Sequence, residues 1–448
     1  MKNSFVGAAA QLITTSKSRR AAPAAEPYFA GQSSVGHSDY ASALSRHGQQ
    51  AQPAAAAAVY MHIPFCSSRC LSCDHNATVT HDVAAIDGYI DTLEQELRLV
   101  TDRIGTTRTV TQLHVGGGSP NYLADRQLVR LAGLIETHFS AVADAEISIE
   151  ANPSRATPSQ LELLTGLGFR NIQFEVRDLD QNVQRAIGRS HSLALLKDVF
   201  GNAREAGFRT VGMDLLYGLP GQTQASIQKT VEQLIGLAPD RVSCYSYSRR
   251  PEVFPHQRAL DPESMPSLGD KLALFNGIAE GLEAAGYVWV GLDCFVRGSD
   301  PLAAAQTEGR LRRNWIGYTV HESNDFFGFG TNAISELDGL CVQNHLEIPQ
   351  WQAAVKAGEF PVRGGVRLSE SERARREAMT QLMCNMQLAD YAALLEIDEE
   401  SPRSLADYER EGLVKVSPKG VSVTEQGRFV LHHLWGDVSP RHRWDGVW

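Results

Sequence analysis

Short apolar runs alternate with longer amphipathic stretches from residue 59 onward. The short runs have strand length, whereas the long stretches repeat apolar residues every three or four positions, as helices do. This alternation predicts repeated βα units and a parallel sheet. The predicted strands are 59–63, 112–115, 146–150, 171–176, 210–216 and 242–247, and the predicted helices are 83–101, 126–139, 158–167, 193–206 and 225–237.

Six βα units are fewer than the eight of a closed barrel, so the pattern predicts an α/β fold with an open, partial (β/α)6 barrel. Ligands of such sheets bind at the carboxyl ends of the strands. Three cysteines follow the first predicted strand, a glycine run at 116–120 follows the second, and Glu150 ends the third. We therefore expect one site at this end of the sheet.

The pattern changes beyond residue 267, and the C-terminal region is expected to be mainly helical and winged-helix-like. DNA binding is the usual association of a winged helix, but the candidate recognition helix at 424–434 has only Arg428 as a fixed positive charge. An interpretation without DNA is favoured. The predicted elements are a helix to about 285, a strand at 287–295, a long irregular stretch, helices at 370–386 and 405–411, strands at 413–416 and 421–423, and a helix from 424.

The N-terminal residues 1–58 are rich in Ala, Ser and Gln and show no sustained periodicity. We expect them to be mostly irregular, with one helix near 40–47. The first 25 residues contain basic but no acidic side chains, so they are read either as a transit peptide or, more simply, as a bacterial extension. The predicted division is an extension at 1–55, a core at 56–285 and a substrate-covering domain at 286–448.

The net charge of −10 argues against broad binding to nucleic acid or to acidic membranes. No apolar run approaches the roughly 20 residues needed to span a bilayer. Seven cysteines are an odd number and do not form a disulfide framework. Three crowd together, whereas Cys244, Cys294, Cys341 and Cys384 are scattered. This pattern indicates a reducing compartment, the cytoplasm, and a metal or cluster site.

The crowded cysteines, Cys66, Cys70 and Cys73, have the spacing C-x3-C-x2-C. Three thiolates leave one iron of a [4Fe–4S] cluster without a protein ligand, and that iron can chelate S-adenosylmethionine. Zinc sites usually need four protein ligands, so a zinc alternative requires Asp74 or His75. Buried thiols are the other alternative. Because an aromatic residue precedes the first cysteine and the loop opens a βα array, the spacing is typical of a radical S-adenosylmethionine (radical SAM) enzyme.

Each of the other candidate residues has both a functional and a purely structural interpretation. The glycine run at 116–120 allows close backbone approach to a ligand, or forms a tight turn. Glu150 is expensive to bury without a partner, which favours a ligand contact over a surface role. Asp214 interrupts an apolar strand, and a ligand contact and a structural ion pair are equally supported. Arg177 and Arg189 flank a helix that begins near 180, and each is alternatively a solvated helix charge.

Two arginine pairs stand out in an acidic protein. They would suit a substrate with several carboxylates, since guanidinium binds carboxylates bidentately, but ordinary surface arginines are equally compatible. The pairs are Arg249 with Arg250 and Arg312 with Arg313.

Several motifs together resemble the oxygen-independent coproporphyrinogen III oxidase (coproporphyrinogen dehydrogenase) family, over roughly residues 55–435. The resemblance implies oxidative decarboxylation of two propionates to vinyls by a radical generated from S-adenosylmethionine, giving protoporphyrinogen IX in haem biosynthesis. It also implies two bound S-adenosylmethionine molecules. The matching segments are 60–73, 116–120, 149–153, 184–189, 214–220 and 313–318.

The resemblance implies a role for each matching residue. Tyr60 and Glu150 are implied as catalytic residues. The implied cluster ligands are Cys66, Cys70 and Cys73. The implied contacts to the first S-adenosylmethionine are Gly117, Gly118, Arg189 and Asp214, with Arg177 where the family has glutamine. The implied surroundings of the second S-adenosylmethionine are Tyr60, Glu150, Trp315 and Ile334. The chain also departs from the family at His75, where the family has cysteine, and at Ile316, where it has glutamine.

Two further functions remain open. One is a radical SAM methyltransferase or cyclopropanase on the same scaffold, and the other is a haem-binding chaperone. Chaperone relatives usually lack the region that matches residues 312–318, which this chain retains, so the enzyme is favoured. The expected partners are a porphyrinogen-like substrate and an electron donor such as flavodoxin or ferredoxin, with the protein a monomer.

Overall fold

The computed structural model describes residues 35–49, 56–104, 108–323, 325–395 and 405–438. Residues 1–34, which include the candidate transit peptide, lie outside these ranges. The helices are α1 (His37–Gln49), α2 (Val83–Ile104), α3 (Asp125–His138), α4 (Pro158–Gly166), α5 (Gln181–Ala186), α6 (Leu193–Glu205), α7 (Gln224–Leu237), α8 (Leu268–Ala284), α9 (Pro301–Thr307), α10 (Ile348–Lys356), α11 (Glu370–Asn385), α12 (Ala392–Leu395), α13 (Leu405–Arg410) and α14 (Glu425–Val438).

Most strands belong to one mixed sheet, and the others form small separate sheets. The strands are β1 (Ala57–Ile63), β2 (Phe65–Cys66), β3 (Thr78–Val79), β4 (Arg108–Gly117), β5 (Phe139–Ala151), β6 (Asn171–Arg177), β7 (Thr210–Tyr217), β8 (Arg241–Ser246), β9 (Tyr287–Val290), β10 (Cys294–Arg297), β11 (Arg312–Arg313), β12 (Tyr318–Thr319), β13 (Asp325–Phe329), β14 (Ile334–Leu337), β15 (Leu340–Asn344), β16 (Val362–Arg367), β17 (Gln387–Leu388), β18 (Val414–Ser417) and β19 (Gly420–Val423).

The main sheet has the order β16-β15-β14-β13-β1-β4-β5-β6-β7-β8-β10-β9. The six predicted strands β1 and β4–β8 are neighbours and run parallel, and at least one helix follows each before the next. This arrangement confirms the α/β fold with a partial (β/α)6 barrel. Strand β13 adds to β1 in parallel, and the outer strands on both sides are antiparallel.

The core is formed by the strand and helix faces that the apolar periodicity of the sequence predicts to be buried. All seven residues of β1 are buried, as expected for a strand covered on both sides. The apolar face of α2 is buried against the sheet, and the helix at 40–47 is confirmed as part of the longer α1, whose Tyr40 ring lies 5.3 Å from that of Phe360. No helix in the described ranges is both long and apolar enough to cross a membrane.

Two predictions for the C-terminal half are wrong. The single strand at 287–295 is a hairpin, in which β9 and β10 are separated by a turn at Gly291 with a φ of 57°. The stretch expected to be irregular contains β13–β16, which extend the barrel sheet beyond β1. Strands from both sides of residue 285 therefore share one sheet, and the division of the chain at 285 stays a prediction.

The tail docks on the core through its candidate recognition helix. A three-stranded sheet of order β17-β19-β18 is followed by α14. The Arg428 side chain on α14 donates hydrogen bonds to the carbonyl oxygens of Trp289 (2.5 Å) and Gly291 (2.9 Å), and its guanidinium lies 4.0 Å from the Trp289 ring. The one fixed positive charge identified on this helix is therefore directed into the protein.

Candidate active site

The cysteine loop lies at the carboxyl end of the central strands. It starts at β2, which pairs with β3 and so folds the loop back on itself. The loop backbone is also tied to the rest of the barrel, because Leu71 N donates to Ile187 O (2.9 Å). Cys66, Cys70 and Cys73 line one small cavity, which we call the cluster cavity.

The glycine run fits against this loop so closely that side chains are excluded. A Cβ on Gly118 would lie 2.7 Å from Pro64 O and 2.8 Å from Phe65 O, which are backbone atoms. The amides of the run are used inside the protein: Gly118 N donates to Ile63 O (2.9 Å) and Ser119 N to Phe65 O (2.9 Å). An ammonium group needs acceptors, so it would contact the run through its carbonyl oxygens or the Ser119 hydroxyl.

Two of the three thiols have a polar side chain beside the sulfur. Ser119 Oγ lies 3.7 Å from Cys66 Sγ, and Arg189 Nε donates to Cys70 Sγ (3.1 Å). The third thiol instead donates to His75 O (3.9 Å). Burial raises the pKa of Cys66 to about 11 and that of Cys73 to about 12, so these thiols are protonated until a metal displaces the proton.

The arrangement does not support the zinc alternative. Within the described part of the chain, no group of three or more His, Cys, Asp or Glu side chains could hold one metal ion. The His75 ring faces Asp74, with 3.6 Å between Nε2 and Oδ1. The three cysteines do share the lining of the cluster cavity.

A buried ionic group separates the cluster cavity from the rest of the barrel interior. Arg177 ends β6 with a φ of 75°, which is unusual for a residue other than glycine. Its guanidinium donates to Glu175 (2.6 Å) and Asp214 (3.4 Å). Arg189 donates to the carbonyl oxygen of Glu175. Both arginine side chains are less than 10% exposed, so the solvated-charge interpretation is wrong.

Asp214 is both an ion-pair partner and a cavity residue. Gln173 Nε2 donates to its Oδ1 (2.6 Å), while Arg177 approaches Oδ2. Burial raises the pKa of Asp214 to about 6, although Arg177 and Gln173 oppose the shift. The structural ion pair weighed for this residue is therefore present.

A larger cavity, which we call the central cavity, follows the inside of the barrel. It brings together Tyr60, Glu150, Asp214, Trp315 and Ile334, which the family resemblance singled out from distant parts of the sequence. Its lining contains five carboxylates (Asp74, Glu146, Glu150, Asp214, Asp293) and three arginines (Arg177, Arg241, Arg313). With all of them ionised, the acidic excess suits a cationic sulfonium ligand.

Tyr60 belongs to a directional chain of hydrogen bonds. Asn76 O can only accept, so His62 Nε2 donates to it (2.9 Å), and His62 Nδ1 then accepts from the Tyr60 hydroxyl (2.9 Å). Burial lowers the pKa of His62 to about 4, which keeps the ring neutral. The Tyr60 ring also stacks on His114, with 5.9 Å between the ring centroids.

Glu150 is an anchored anion. Its Oε1 lies 3.2 Å from His114 Nε2, and its Oε2 accepts from Gly117 N (2.9 Å). Burial alone would raise the pKa of Glu150, but the hydrogen bond and charge of His114, with the charge of His75 and the Gly117 amide, lower it to about 2. The carboxylate is therefore ionised at neutral pH and is not a proton donor.

The arginine pairs are dispersed. Arg313 lines the central cavity, whereas Arg249 Nε donates to Gln257 O (3.2 Å) and the Arg250 guanidinium lies 5.4 Å from the Phe254 ring. Arg312 lies in the short β11–β12 pair. These pairs do not form one carboxylate-binding cluster.

Sequence reasoning missed four residues of the site. They are His62, His114, Ser119 and Glu175, which contact Tyr60, Glu150, Cys66 and Arg177 respectively. Three of these are polar residues within predicted buried strands, the same signal that identified Asp214. The hydroxyl of Ser119 had no separate signal within its glycine-rich turn.

Comparison with known proteins assigns the class and then the family. The Radical SAM superfamily matches residues 60–234, which contain the cysteine loop, and the chain is a radical SAM protein. Relatives named oxygen-independent coproporphyrinogen III oxidase are 35% identical over 385 residues (Pseudomonas aeruginosa) and 36% identical over 384 residues (Escherichia coli), with 84% of each chain covered in both cases. The chain belongs to the oxygen-independent coproporphyrinogen III oxidase family.

The structural comparison extends this relationship to nearly the whole chain. The solved structure of coproporphyrinogen III oxidase from Escherichia coli, described as a radical SAM enzyme, matches with a TM-score of 0.85 and 33% identity, covering 96% of this chain and 98% of that one. The family resemblance inferred from the motifs is thereby confirmed. As a member of this class, the protein is an oxidoreductase that uses a [4Fe–4S] cluster and S-adenosyl-L-methionine.

Proposed function

We propose that this protein oxidatively decarboxylates propionate side chains of coproporphyrinogen III to vinyls, giving protoporphyrinogen IX in haem biosynthesis. The observation that carries the proposal is the match to coproporphyrinogen III oxidase over 96% of the chain, far beyond the barrel. The region around Trp315, which adds to the central cavity, lies outside the radical SAM match at 60–234. Residues 286–448 are proposed to cover the substrate.

Cys66, Cys70 and Cys73 would hold the cluster, since they surround one cavity beside the glycine run. The chemistry that the cluster and S-adenosylmethionine would supply when bound is one-electron cleavage and hydrogen-atom abstraction from the propionate β-carbon, after which carbon dioxide leaves and an electron acceptor takes the remaining electron. The protein positions the reactants and excludes water. Gly117, Gly118, Arg177, Arg189 and Asp214 would surround the first S-adenosylmethionine, because they line the two cavities or lie between them.

Tyr60 and Glu150 are proposed to act by orientation and charge. Glu150 stays ionised at neutral pH because its pKa is about 2, so it would attract a cationic ligand. Burial and the nearby Glu150 carboxylate raise the pKa of Tyr60 well above its usual value, so the phenol keeps its proton. A second S-adenosylmethionine would lie against Tyr60, Trp315 and Ile334, which pack together in one apolar cluster.

The proposed setting is a cytoplasmic monomer that receives electrons from a flavodoxin or a ferredoxin. All seven cysteines are free thiols, which supports a reducing compartment. Neither nucleic acid nor a membrane is a proposed partner. The inward-facing Arg428 supports the first of these statements.

A radical SAM methyltransferase or cyclopropanase is the second candidate. It is favoured by Ile316, which gives the central cavity an apolar side chain where the family has an amide, and by Arg177, which covers Asp214. Both changes alter the polar surroundings expected for a bound S-adenosylmethionine. In this reaction a second S-adenosylmethionine would donate carbon to the product.

The test is anaerobic incubation of reconstituted protein with coproporphyrinogen III, S-adenosylmethionine and a low-potential reductant. The expected products are protoporphyrinogen IX, carbon dioxide and 5′-deoxyadenosine, and Cys70→Ala should give none of them. Cleavage of S-adenosylmethionine without loss of carbon dioxide would overturn the oxidase assignment. A product heavier by one carbon would support the second candidate, and stoichiometric haem in cluster-free protein would support a chaperone.

A further inference from the structure

A short loop at 314–317 places two apolar side chains, Trp315 and Ile316, in the wall of the central cavity. The loop joins β11 to β12, and each of these strands has only two residues. Asn314 shapes it, because its Oδ1 accepts from Ile316 N (2.8 Å) and its backbone N donates to Gly317 O (3.1 Å). An isolated two-stranded pair is at best marginally stable, so the position of this loop depends on contacts with the rest of the protein.

One such contact comes from the wall of the barrel. Asn314 Nδ2 donates to Oε1 of Gln112 on β4 (2.6 Å). Gln112 is 4% exposed, and its Nε2 donates to Oε2 of Glu146 on β5 (3.2 Å). Gln112 and Glu146 are register partners in the parallel pair, and both line the central cavity. The two ends of one buried amide thus connect the loop to the barrel.

The contacts continue from Glu146 towards the C-terminal half of the chain. Arg241 Nη2 on β8 lies 3.7 Å from Glu146 Oε1, and its Nε and Nη2 donate to Asp300 (2.7 and 3.1 Å). Asp300 also caps α9, since its Oδ1 accepts from Leu302 N (2.9 Å). We call the series Asn314, Gln112, Glu146, Arg241 and Asp300 the polar chain. Such a network is stabilising inside a protein only when its members are satisfied, as the donors and acceptors named here are.

The chemistry of Glu146 fixes the direction of the hydrogen bonds that lead to the loop. A carboxylate that faces a guanidinium can only accept, so the amide of Gln112 must direct its Nε2 towards Glu146. The Oε1 of Gln112 is then directed towards Asn314, which must donate to it. The Oδ1 of Asn314 is left to accept from the backbone of the loop. One orientation of two amides therefore satisfies the polar chain and the loop together.

A different group holds the far end of the Trp315 side chain. Trp315 Nε1 donates to Oε2 of Glu336 on β14 (3.0 Å), and the same oxygen accepts from Arg376 Nη2 (2.5 Å). The indole is thus held at its tip by β14, and its backbone is held by β4 through Asn314. A ligand-facing side chain needs such supporting contacts to keep one orientation.

We propose that Gln112 is a positioning residue, which acts through Asn314 to hold Trp315 and Ile316 in place against the ligand of the central cavity. This role deepens the proposed function and rests on it in one respect, because Trp315 is proposed to lie against a second S-adenosylmethionine. Loss of the Gln112 contact releases the loop on its barrel side. A misplacement of about 1 Å near reacting groups costs up to about 100-fold in rate.

The test exchanges the amide and the acid of one contact. Gln112→Glu alone sets two carboxylates against each other and should displace the loop. In the double variant Gln112→Glu with Glu146→Gln, residue 112 again accepts from Asn314, while residue 146 donates to residue 112 and still offers an oxygen to Arg241. The exchange should therefore restore the loop, which a general loss of packing would not do. Glu146→Gln alone should have a smaller effect, since Gln112 can still donate to an amide oxygen.

The position of Trp315 is read by fluorine nuclear magnetic resonance of protein labelled with 5-fluorotryptophan, without substrate or S-adenosylmethionine. Its resonance is assigned by its loss in Trp315→Phe. The resonance should shift or broaden in Gln112→Glu and return to the wild-type position in the double variant. Gln228→Glu adds the same charge at an exposed position of α7 and should leave the resonance unchanged.

A second measurement follows the reaction. With coproporphyrinogen III, S-adenosylmethionine and reductant, kcat/KM should fall about tenfold or more in Gln112→Glu and recover in the double variant. If the wild type gave no protoporphyrinogen IX, the proposed function would fail, but the fluorine spectra would still decide the role of Gln112.

Asn314→Asp keeps the test decisive if Gln112→Glu does not fold. This change keeps an acceptor for Ile316 N and removes only the donor to Gln112, so it should displace the Trp315 resonance in the same way. A wild-type resonance in folded Gln112→Glu or in Asn314→Asp would overturn the proposal. So would a double variant whose resonance is displaced as far as that of Gln112→Glu.

Discussion

At the scale of single residues, Gly118 decides how closely the glycine run approaches the cysteine loop. The atoms that a Cβ would meet, Pro64 O and Phe65 O, are backbone and cannot move aside as a flexible side chain can. We predict that Gly118→Ala displaces the loop, destabilises the protein by about 1–3 kcal/mol and reduces the iron bound after reconstitution. Chemical denaturation and iron analysis measure the two effects.

Gly133 provides the matched control for this glycine. It lies within α3, and a Cβ there would meet nothing within 4 Å. Gly133→Ala should stabilise the protein by about 0.5–1 kcal/mol, since alanine restricts the unfolded chain and favours the helix. Equal iron content in the two alanine variants would contradict the role assigned to Gly118.

Because His62 is buried, we predict that the free energy of unfolding decreases as the pH falls. Burial lowers the pKa of the folded state to about 4 from the usual 6.5, so the unfolded chain takes up a proton first as the pH falls. The free energy of unfolding should therefore decrease between pH 6.5 and pH 4, by about 3 kcal/mol from this group. His62→Gln should flatten the curve in that window, and parallel denaturation curves for both proteins would contradict the assignment.

At the scale of secondary structure elements, Glu96 joins α2 to the strands that the sequence pattern missed. Its carboxylate accepts from Gly330 N (2.8 Å), Asn344 Nδ2 (2.6 Å) and Trp351 Nε1 (3.1 Å). Gly330 begins the turn between β13 and β14, and that turn leads to Ile334 in the wall of the central cavity. Glu96 on α2 thus holds the turn that leads to one wall of the central cavity.

We predict that Glu96→Ala lowers the free energy of unfolding by about 3 kcal/mol or more, because three buried donors lose their acceptor. The exposed Asp102, on the same helix, is the control, and Asp102→Ala should change stability by less than about 0.5 kcal/mol. Urea denaturation measures both. A cost for Glu96→Ala as small as that of the control would show that the carboxylate does not hold the turn.

The elements that the sequence predicted well are those whose signal is local. Strands β1 and β4–β8 are short stretches that contain several apolar and β-branched residues, and α2 repeats its apolar face over several turns, so each is recognisable in isolation. Strands β13–β16 are short, and β13 is defined by its pairing with β1, more than 200 residues away. No local pattern reports such a pairing. The β9–β10 hairpin was missed because Gly291 was read as part of one strand.

The site was predictable to a similar extent and for a similar reason. The cysteine spacing, the glycine run and the acids Glu150 and Asp214 carry a signal in the sequence because their positions are unusual for their residue types. The residues that contact these side chains carry no such signal in the sequence. Arg177, for example, binds both Glu175 and Asp214. These contacts depend on a bend at the end of β6 with a positive φ, and an arginine in the sequence gives no indication of such a bend.

At the scale of the whole molecule, Arg428 on α14 connects the tail to the β9–β10 hairpin of the main sheet. We predict that Arg428→Ala destabilises the tail by about 2 kcal/mol, since the carbonyl oxygens of Trp289 and Gly291 lose a charged donor. Limited proteolysis within residues 405–438 should become faster. Denaturation monitored at the same time measures the free energy.

Arg310 is the control for this arginine. Its side chain is 62% exposed and, among the described residues, forms an ion pair with Glu308, which is also exposed, so Arg310→Ala should cost little. Comparable proteolysis of the tail in the two variants would contradict the docking role of Arg428. A gain of DNA binding in either variant is not expected, because the protein carries a net charge of −10.

We propose above all that Cys66, Cys70 and Cys73 hold a [4Fe–4S] cluster with one iron open to S-adenosylmethionine. The most direct measurement is electron paramagnetic resonance of the reduced, reconstituted protein before and after S-adenosylmethionine is added. We expect four irons per chain, a changed spectrum when S-adenosylmethionine is added, and no cluster signal in Cys66→Ala, Cys70→Ala or Cys73→Ala. A full cluster whose spectrum is unaffected by saturating S-adenosylmethionine would contradict it.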